Sequence, residues 1–301
     1  MPQLYLRPTN AIPTDVAKRT SELLRNGNAI PSSLPEEINS VTKGSFPLPV
    51  TAGLVAQLSE LDSLGCELWN AATNILRSDE NAQDPRLKHD DHAALVSSLR
   101  VFAYFLLDTA HRTSSKRTKD RDQDQRVFKI ALKTCRFCVE KGEMALSNKV
   151  LERCVEYVSA ANDDSPLVRI SNNNEDGEHR AALAVLITEF YLLRIMYSWK
   201  DQRFDLAEHH FNQISSSQLS ATTSLAEKAA DLFYEIGKYL LRRKLEDSAI
   251  MWLDRAISIL DTCDLEGQNQ DTGDLRLGIT TSLGQCCSNV YLSSSMLTCR
   301  S

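Results

Sequence analysis

A few places in the chain bring together side chains that could do chemistry. Cys135-x-x-Cys138 puts two thiols one helical turn apart, the spacing of a redox or zinc element. No second pair with zinc spacing follows, and the pair lies inside a helical pattern rather than at a helix start after a strand, so it reads as core packing. His89-x-x-His92 with Asp90 and Asp91 offers four potential metal ligands. Consecutive aspartates before an apolar helix are also what an N-terminal cap and helix-dipole partner look like, and that is the reading taken. His209 and His210 beside Glu208 suggest a general base, yet no nucleophile is in view and a solvated helix face is expected. Cys286 and Cys287 fall in an atypical tail and support nothing. No glycine-rich phosphate loop and no serine-histidine-acid order can be assembled. The expectation is a protein without catalysis, metal, cofactor or small-molecule substrate.

Charge narrows the binding classes. The run His111–Arg126 clusters Lys116, Arg117, Lys119 and Arg121, a nuclear-localisation-like or phosphate-contact signal. Interspersed Asp120, Asp122 and Asp124 make it a solvated loop instead. The net charge of −6 argues against a surface built mainly to neutralise phosphates, so no direct nucleic-acid binding is expected. The start MPQLYLRPTN lacks the plan of a signal peptide, and the apolar run 181–193 is interrupted by Glu189 and too short to span a bilayer, so no membrane partner is expected. Eight scattered cysteines fit a reducing compartment.

The elements that must position any surface are helices. With 301 residues, 42% of them hydrophobic and 25% charged, the chain has ample material for a core. Seven of nine prolines lie in residues 1–50, which read as a largely extended leader with one helical candidate, Asp15–Arg25, ended by Gly27. From residue 51 the pattern changes. Leu54, Leu58, Leu61, Gly65, Leu68, Ala72 and Ile75 share one helical face, with Trp69 at its edge. The same period recurs in 91–111, 125–141, 143–161, 178–200, 204–216, 224–243 and 245–261, separated by polar connectors. The predicted fold is all-α, a tetratricopeptide-like solenoid of antiparallel helix pairs over 51–283, followed by the tail 284–301, disordered or truncated.

The repeat reading rests on Tyr234–Leu260, YEIGKYLLRRKLEDSAIMWLDRAISIL. Glycine inside a helix costs about 1 kcal/mol relative to alanine. Here Phe233, Ile236, Gly237 and Leu240, then Ala249, Trp252, Leu253 and Ala256, reproduce the spacing of a tetratricopeptide hairpin, and close approach of the partner helix explains the glycine. A weaker copy runs Tyr191–Ile214, with Ala207, Phe211 and Ile214 in the places of Ala249, Leu253 and Ala256 and Ile195 in that of the glycine. The pair 125–161 carries Ser147, Leu151 and Cys154 at the same offsets.

Three stretches carry a family likeness: LDSLGCELWNAATNIL (Leu61–Leu76 region), LRVFAYFLLDTA (Leu99–Ala110), and YEIGKYLL followed by AIMWLDRAISIL. Over roughly 51–283 the chain resembles the meiosis-specific tetratricopeptide family of fungal sporulation proteins, the "Zip-four" type, with testis-expressed relatives in animals. Glu67, Leu68, Trp69 and Asn70 match its Leu-Trp-Asn element, and Trp252 and Leu253 its Trp-Leu element. The resemblance implies a nuclear, non-catalytic scaffold on meiotic chromosomes that joins crossover factors, supports synaptonemal-complex assembly and reciprocal recombination, and docks peptides or helices of those proteins. A general tetratricopeptide adaptor outside meiosis is the alternative. If Phe233 packs inward, Asp231, Tyr234, Lys238 and Arg242 share the opposite, groove-lining face. In the preceding pair the corresponding stripe is Glu189, Leu192, Met196 and Trp199, unless a neighbouring helix covers it.

Overall fold

The structure, a computed structural model, describes residues 13–26, 30–48, 51–81, 89–113, 121–163, 174–262 and 270–298. All regular structure among them is α-helical. The helices are α1 (Pro13–Arg25), α2 (Leu34–Ser45), α3 (Ala52–Ala56), α4 (Leu58–Asn81), α5 (His89–Thr113), α6 (Arg121–Glu140) and α7 (Met144–Asp163). There follow α8 (Asn174–Lys200), α9 (Phe204–Phe211), α10 (Ser216–Leu219), α11 (Thr223–Arg242), α12 (Glu246–Thr262) and α13 (Gln270–Thr298). They divide into two compact units, Met1–Asp164 and Ser165–Ser301, where the sequence suggested one continuous repeat region.

In the first unit α5 is the central helix. From Leu95 to Ala110 it is apolar nearly all round and buried, which is what a helix enclosed by neighbours requires. Helices α2, α4, α6 and α7 pack on it. Its buried Asp108 accepts hydrogen bonds from Arg112 Nε at 2.6 Å, Arg153 Nε at 2.7 Å and the Tyr157 hydroxyl at 2.6 Å, a network that ties α5 to α7. Burial and the neighbouring Asp108 carboxylate both push the Tyr157 phenol up.

The described residues of the expected leader, 13–26 and 30–48, fold into this unit. Pro13 opens α1 and Pro35 stands in the first turn of α2, positions where a helix has no use for the missing N–H. Proline density marks two helix starts here rather than extended chain. Val16 and Ala17 of α1 are buried, and its Ser21 donates to Glu67 of α4 at 2.6 Å. Beyond α2, Phe46 stacks on Phe105 at 5.2 Å and meets Phe102 edge-on at 6.0 Å.

Three hairpins share one turn. Gly142, Gln202 and Lys244 adopt φ of 79°, 62° and 60°. Each lies five positions before the small residue of the second helix, Ser147, Ala207 or Ala249. The backbone bonds repeat: the N–H groups of 142, 202 and 244 donate to the carbonyls of Val139, Trp199 and Leu241. Those of Glu143, Arg203 and Leu245 reach Cys138, Ser198 and Leu240 at 2.8, 2.8 and 3.0 Å. This is the left-handed helix ending closed by a four-residue turn nested within a six-residue one. The hairpins are α6–α7, α8–α9 and α11–α12, and the residue facing the small position is Cys135, Ile195 or Gly237, twelve earlier in each. Cys135 Sγ touches Ser147 Oγ at 3.6 Å, and burial pushes its thiol up to about 12, as expected of a packing cysteine and not a reactive one.

A fourth pair, α4–α5, has the same crossing. A Cβ on Gly65 would lie 2.7 Å from Leu107 Cγ and 3.2 Å from the Ala103 carbonyl; one on Gly237 would lie 2.6 Å from Leu253 Cγ and 3.4 Å from the Ala249 carbonyl. Both glycines meet a leucine one turn after an alanine. The long connection hides this repeat in the sequence.

One further expectation changes. The tail 284–301 was read as breaking the helical pattern, but α13 continues through it to Thr298. Two helical stretches, His92–Thr113 and Gly177–Lys200, are long and apolar enough to cross a membrane by length and composition. The first is the enclosed core of its unit, 83% buried over its apolar window; the second is 39% buried over its own.

Candidate protein-binding surface

Helix α11 is the frame of the candidate surface. Thr222 caps it, its hydroxyl accepting from the Leu225 N–H at 3.2 Å, and the Lys244 turn ends it. Leu225, Ala226, Ala229, Ala230, Phe233, Ile236, Gly237 and Leu240 are buried, so one face is committed to packing. Ala249, Trp252, Leu253 and Ala256 of α12 face them and are buried too. Phe233 and Trp252 lie 5.2 Å apart, and Phe211 meets both edge-on at 5.4 and 5.9 Å. Arg255 closes the cluster with its guanidinium 4.0 Å from the Phe211 ring centre and an Nη2 bond to Glu208 at 3.2 Å. Ala207 of α9 is fully buried.

The opposite face carries charge. Asp231 and Arg242 are exposed, and Lys238 is half-buried. Lys238 Nζ binds Glu235 at 2.8 Å and stands 4.7 Å over the Tyr234 ring; the Glu235 bond, first among its causes, raises its pKa. Partial desolvation, with Glu235 one turn away, pushes the Asp231 carboxyl up. Glu235 belongs to this ridge although sequence reasoning did not single it out. Its place one turn after Asp231 and three residues before Lys238 was the available signal.

Tyr234 is not free on that ridge. Its hydroxyl lies 2.7 Å from where a Cβ on Gly278 would stand, so α13 crosses it there, and Thr272 of α13 donates to Glu227 at 2.6 Å. What remains accessible is the line Asp231, Glu235, Lys238 and Arg242.

The stripe on α8 is covered. Leu192 and Trp199 are 3% and 9% exposed and belong to the core of this unit, with Met196 half-buried against it. Glu189 binds Lys228 of α11 at 2.8 Å, and Trp199 meets Tyr239 of α11 edge-on at 6.1 Å. Helix α11 occupies the groove face assigned to those four residues, because the short α9 and α10 return the chain along α8. His210, expected on a solvated face, is buried; Arg194 Nε donates to its Nε2 at 3.2 Å, and burial with the neighbouring cation lowers its pKa to about 4. The basic run 116–120 lies outside the described residues.

No curated protein matches the chain. A solved structure from "Computational Design of Self-Assembling Cyclic Protein Homooligomers" aligns with 91% of this chain and 98% of its own at 11% identity. Its TM-score of 0.32 is too low to support a comparison of folds. Residues 197–297, from the last turn of α8 into the last turn of α13, match the family described as "Meiosis protein SPO22/ZIP4 like", the same meiotic family that the Tyr234–Leu260 hairpin resembles.

Proposed function

We propose that the protein is a non-catalytic scaffold of meiotic chromosomes in the nucleus, holding crossover and synaptonemal-complex proteins through its helix hairpins. The observation that carries this is the family match over residues 197–297. It coincides with the α11–α12 hairpin and the charged ridge beside it. Along one helix face the acids Asp231 and Glu235 are followed by the bases Lys238 and Arg242, which suits a partner segment with a complementary charge pattern. The test is to tag the chromosomal copy and follow it through meiosis. Chromosome-associated foci confined to meiotic prophase are expected. Equal abundance in vegetative and meiotic cells, with no chromosomal signal, would reject the proposal.

A further inference from the structure

The first unit contains a second surface, outside the matched residues, whose chemistry is distinct. Between α4 and α6, over α5, lies a cavity of about 540 Å³. Its apolar walls are Trp69 of α4, Leu107 of α5 and Ile130 of α6. Its rim is Arg126, Lys129 and Lys133, all exposed and spaced by three and four along α6, so they project from one face over about 10 Å. Among the described residues Arg126 donates to neutral groups, Gln123 Oε1 and Cys66 Sγ, each at 3.3 Å. Lys129 and Lys133 hold no carboxylate among the described residues. One acid, Asp122, stands at the α6 end of the cavity, so the lining carries three cations against one anion on a chain whose net charge is −6.

Behind the wall, the Arg100 guanidinium is stacked between two rings, 5.1 Å from Trp69 and 4.6 Å from Phe137. Its Nε is buried without a hydrogen-bond partner. This cation fixes the indole plane and adds positive charge behind it. A preset aromatic wall, an apolar floor and a row of unpaired cations are what a docking site for an acidic segment requires.

We propose that this cavity binds an acidic peptide segment of a partner protein, its carboxylates on Arg126, Lys129 and Lys133 and an apolar side chain between Trp69 and Ile130. This deepens the scaffold reading by naming a ligand class, and it rests on that reading only in expecting a protein ligand. A nucleic acid fits less well. The cationic row ends after about two helical turns, with Asp122 at one end, and the chain's overall charge repels a long polyanion.

The test uses the full chain and fluorescence anisotropy. The probes are a fluorescein-labelled peptide of glutamates around a central leucine, the same peptide with glutamines for glutamates, and labelled oligodeoxythymidine. The glutamate peptide should bind, and added salt should weaken it. Lys129→Glu with Lys133→Glu should weaken it at least about tenfold with an unchanged thermal melt. Trp69→Leu, with its fold checked by circular dichroism, should weaken the glutamate peptide as well. Equal binding by wild type and the α6 double variant, no preference for glutamate over glutamine, or preferential binding of oligodeoxythymidine would each overturn the proposal. Failure of the chain to reach meiotic chromosomes would overturn the function proposed above and leave this result standing.

Discussion

A methyl group added at Gly237 would meet Leu253 Cγ at 2.6 Å, closer than packed carbon atoms approach. Alanine is the better helix former by about 1 kcal/mol, so the sign of Gly237→Ala depends on which effect is larger. The contact is with the branch carbon of a buried leucine, which cannot swing aside as a chain end could. Gly237→Ala should therefore destabilise the protein by about 1 to 3 kcal/mol, and Gly65→Ala likewise against Leu107. Gly44 in α2 has nothing within 4 Å of its Cβ position, and Gly44→Ala should stabilise by up to about 1 kcal/mol. Urea midpoints of the three variants check this; three shifts of one sign would contradict the crossing geometry. His210 offers a pH-dependent counterpart. The fold holds it at about 4 against an ordinary 6.5, so the unfolded chain takes up the proton first as pH falls. Stability should be unaffected above about pH 6.5 and decline down to about pH 4. His210→Gln keeps an acceptor for Arg194, and melting curves across that window should show a smaller decline than wild type.

Among the elements, the shared turn separates what residue patterns reveal from what they conceal. Ala249, Leu253 and Ala256 recur as Ala207, Phe211 and Ile214 and as Ser147, Leu151 and Cys154, and those offsets were readable because small and apolar residues at a crossing leave a spacing in the sequence. The left-handed position five residues earlier was not, since Gln202 and Lys244 fill it where glycine would have announced it. The α8 stripe was left with two readings, groove or covered face, for a related reason. A periodic apolar face shows that something covers it, not whether the cover is its own chain or a partner. The prolines of residues 1–50 were read by density, whereas two of them, Pro13 and Pro35, stand in the first turns of α1 and α2. Side chains strain the left-handed turn by roughly 1 kcal/mol. Lys244→Gly should thus stabilise by about 0.5 to 1 kcal/mol, and Gly142→Ala should destabilise by about 1 kcal/mol. Gln202→Gly should gain less, because Gln202 Oε1 accepts from Tyr239 at 2.5 Å and Arg243 at 3.0 Å. Thermal midpoints check this: Lys244→Gly should rank above Gln202→Gly, and Gly142→Ala should fall below wild type.

For the molecule as a whole, fold and partner choice should be separable on the α11 ridge. Replacing Lys238 and Arg242 with Glu changes the net charge by −2 at each position, from −6 to −10. Arg242 is exposed and the contacts of Lys238 with Glu235 and the Tyr234 ring lie within its own helix, so the melt should move by within about 0.5 kcal/mol. Pull-down from meiotic extract should lose partners held by acidic groups. A collapsed melt would mark these residues as structural, and full retention of every partner would remove the ridge from the binding surface.

The backbone-closed turns also set an order of events in time. Within α6–α7 the facing positions Cys135 and Ser147 are twelve residues apart, whereas Gly65 and Ala103 of α4–α5 are separated by thirty-eight. Closing the longer loop costs about 1 kcal/mol more in chain entropy. In the first unit α6–α7 therefore forms early and α4–α5 docks late. Destabilising the Gly142 turn slows folding, while crowding Gly65 leaves the folding rate nearly unchanged and hastens unfolding.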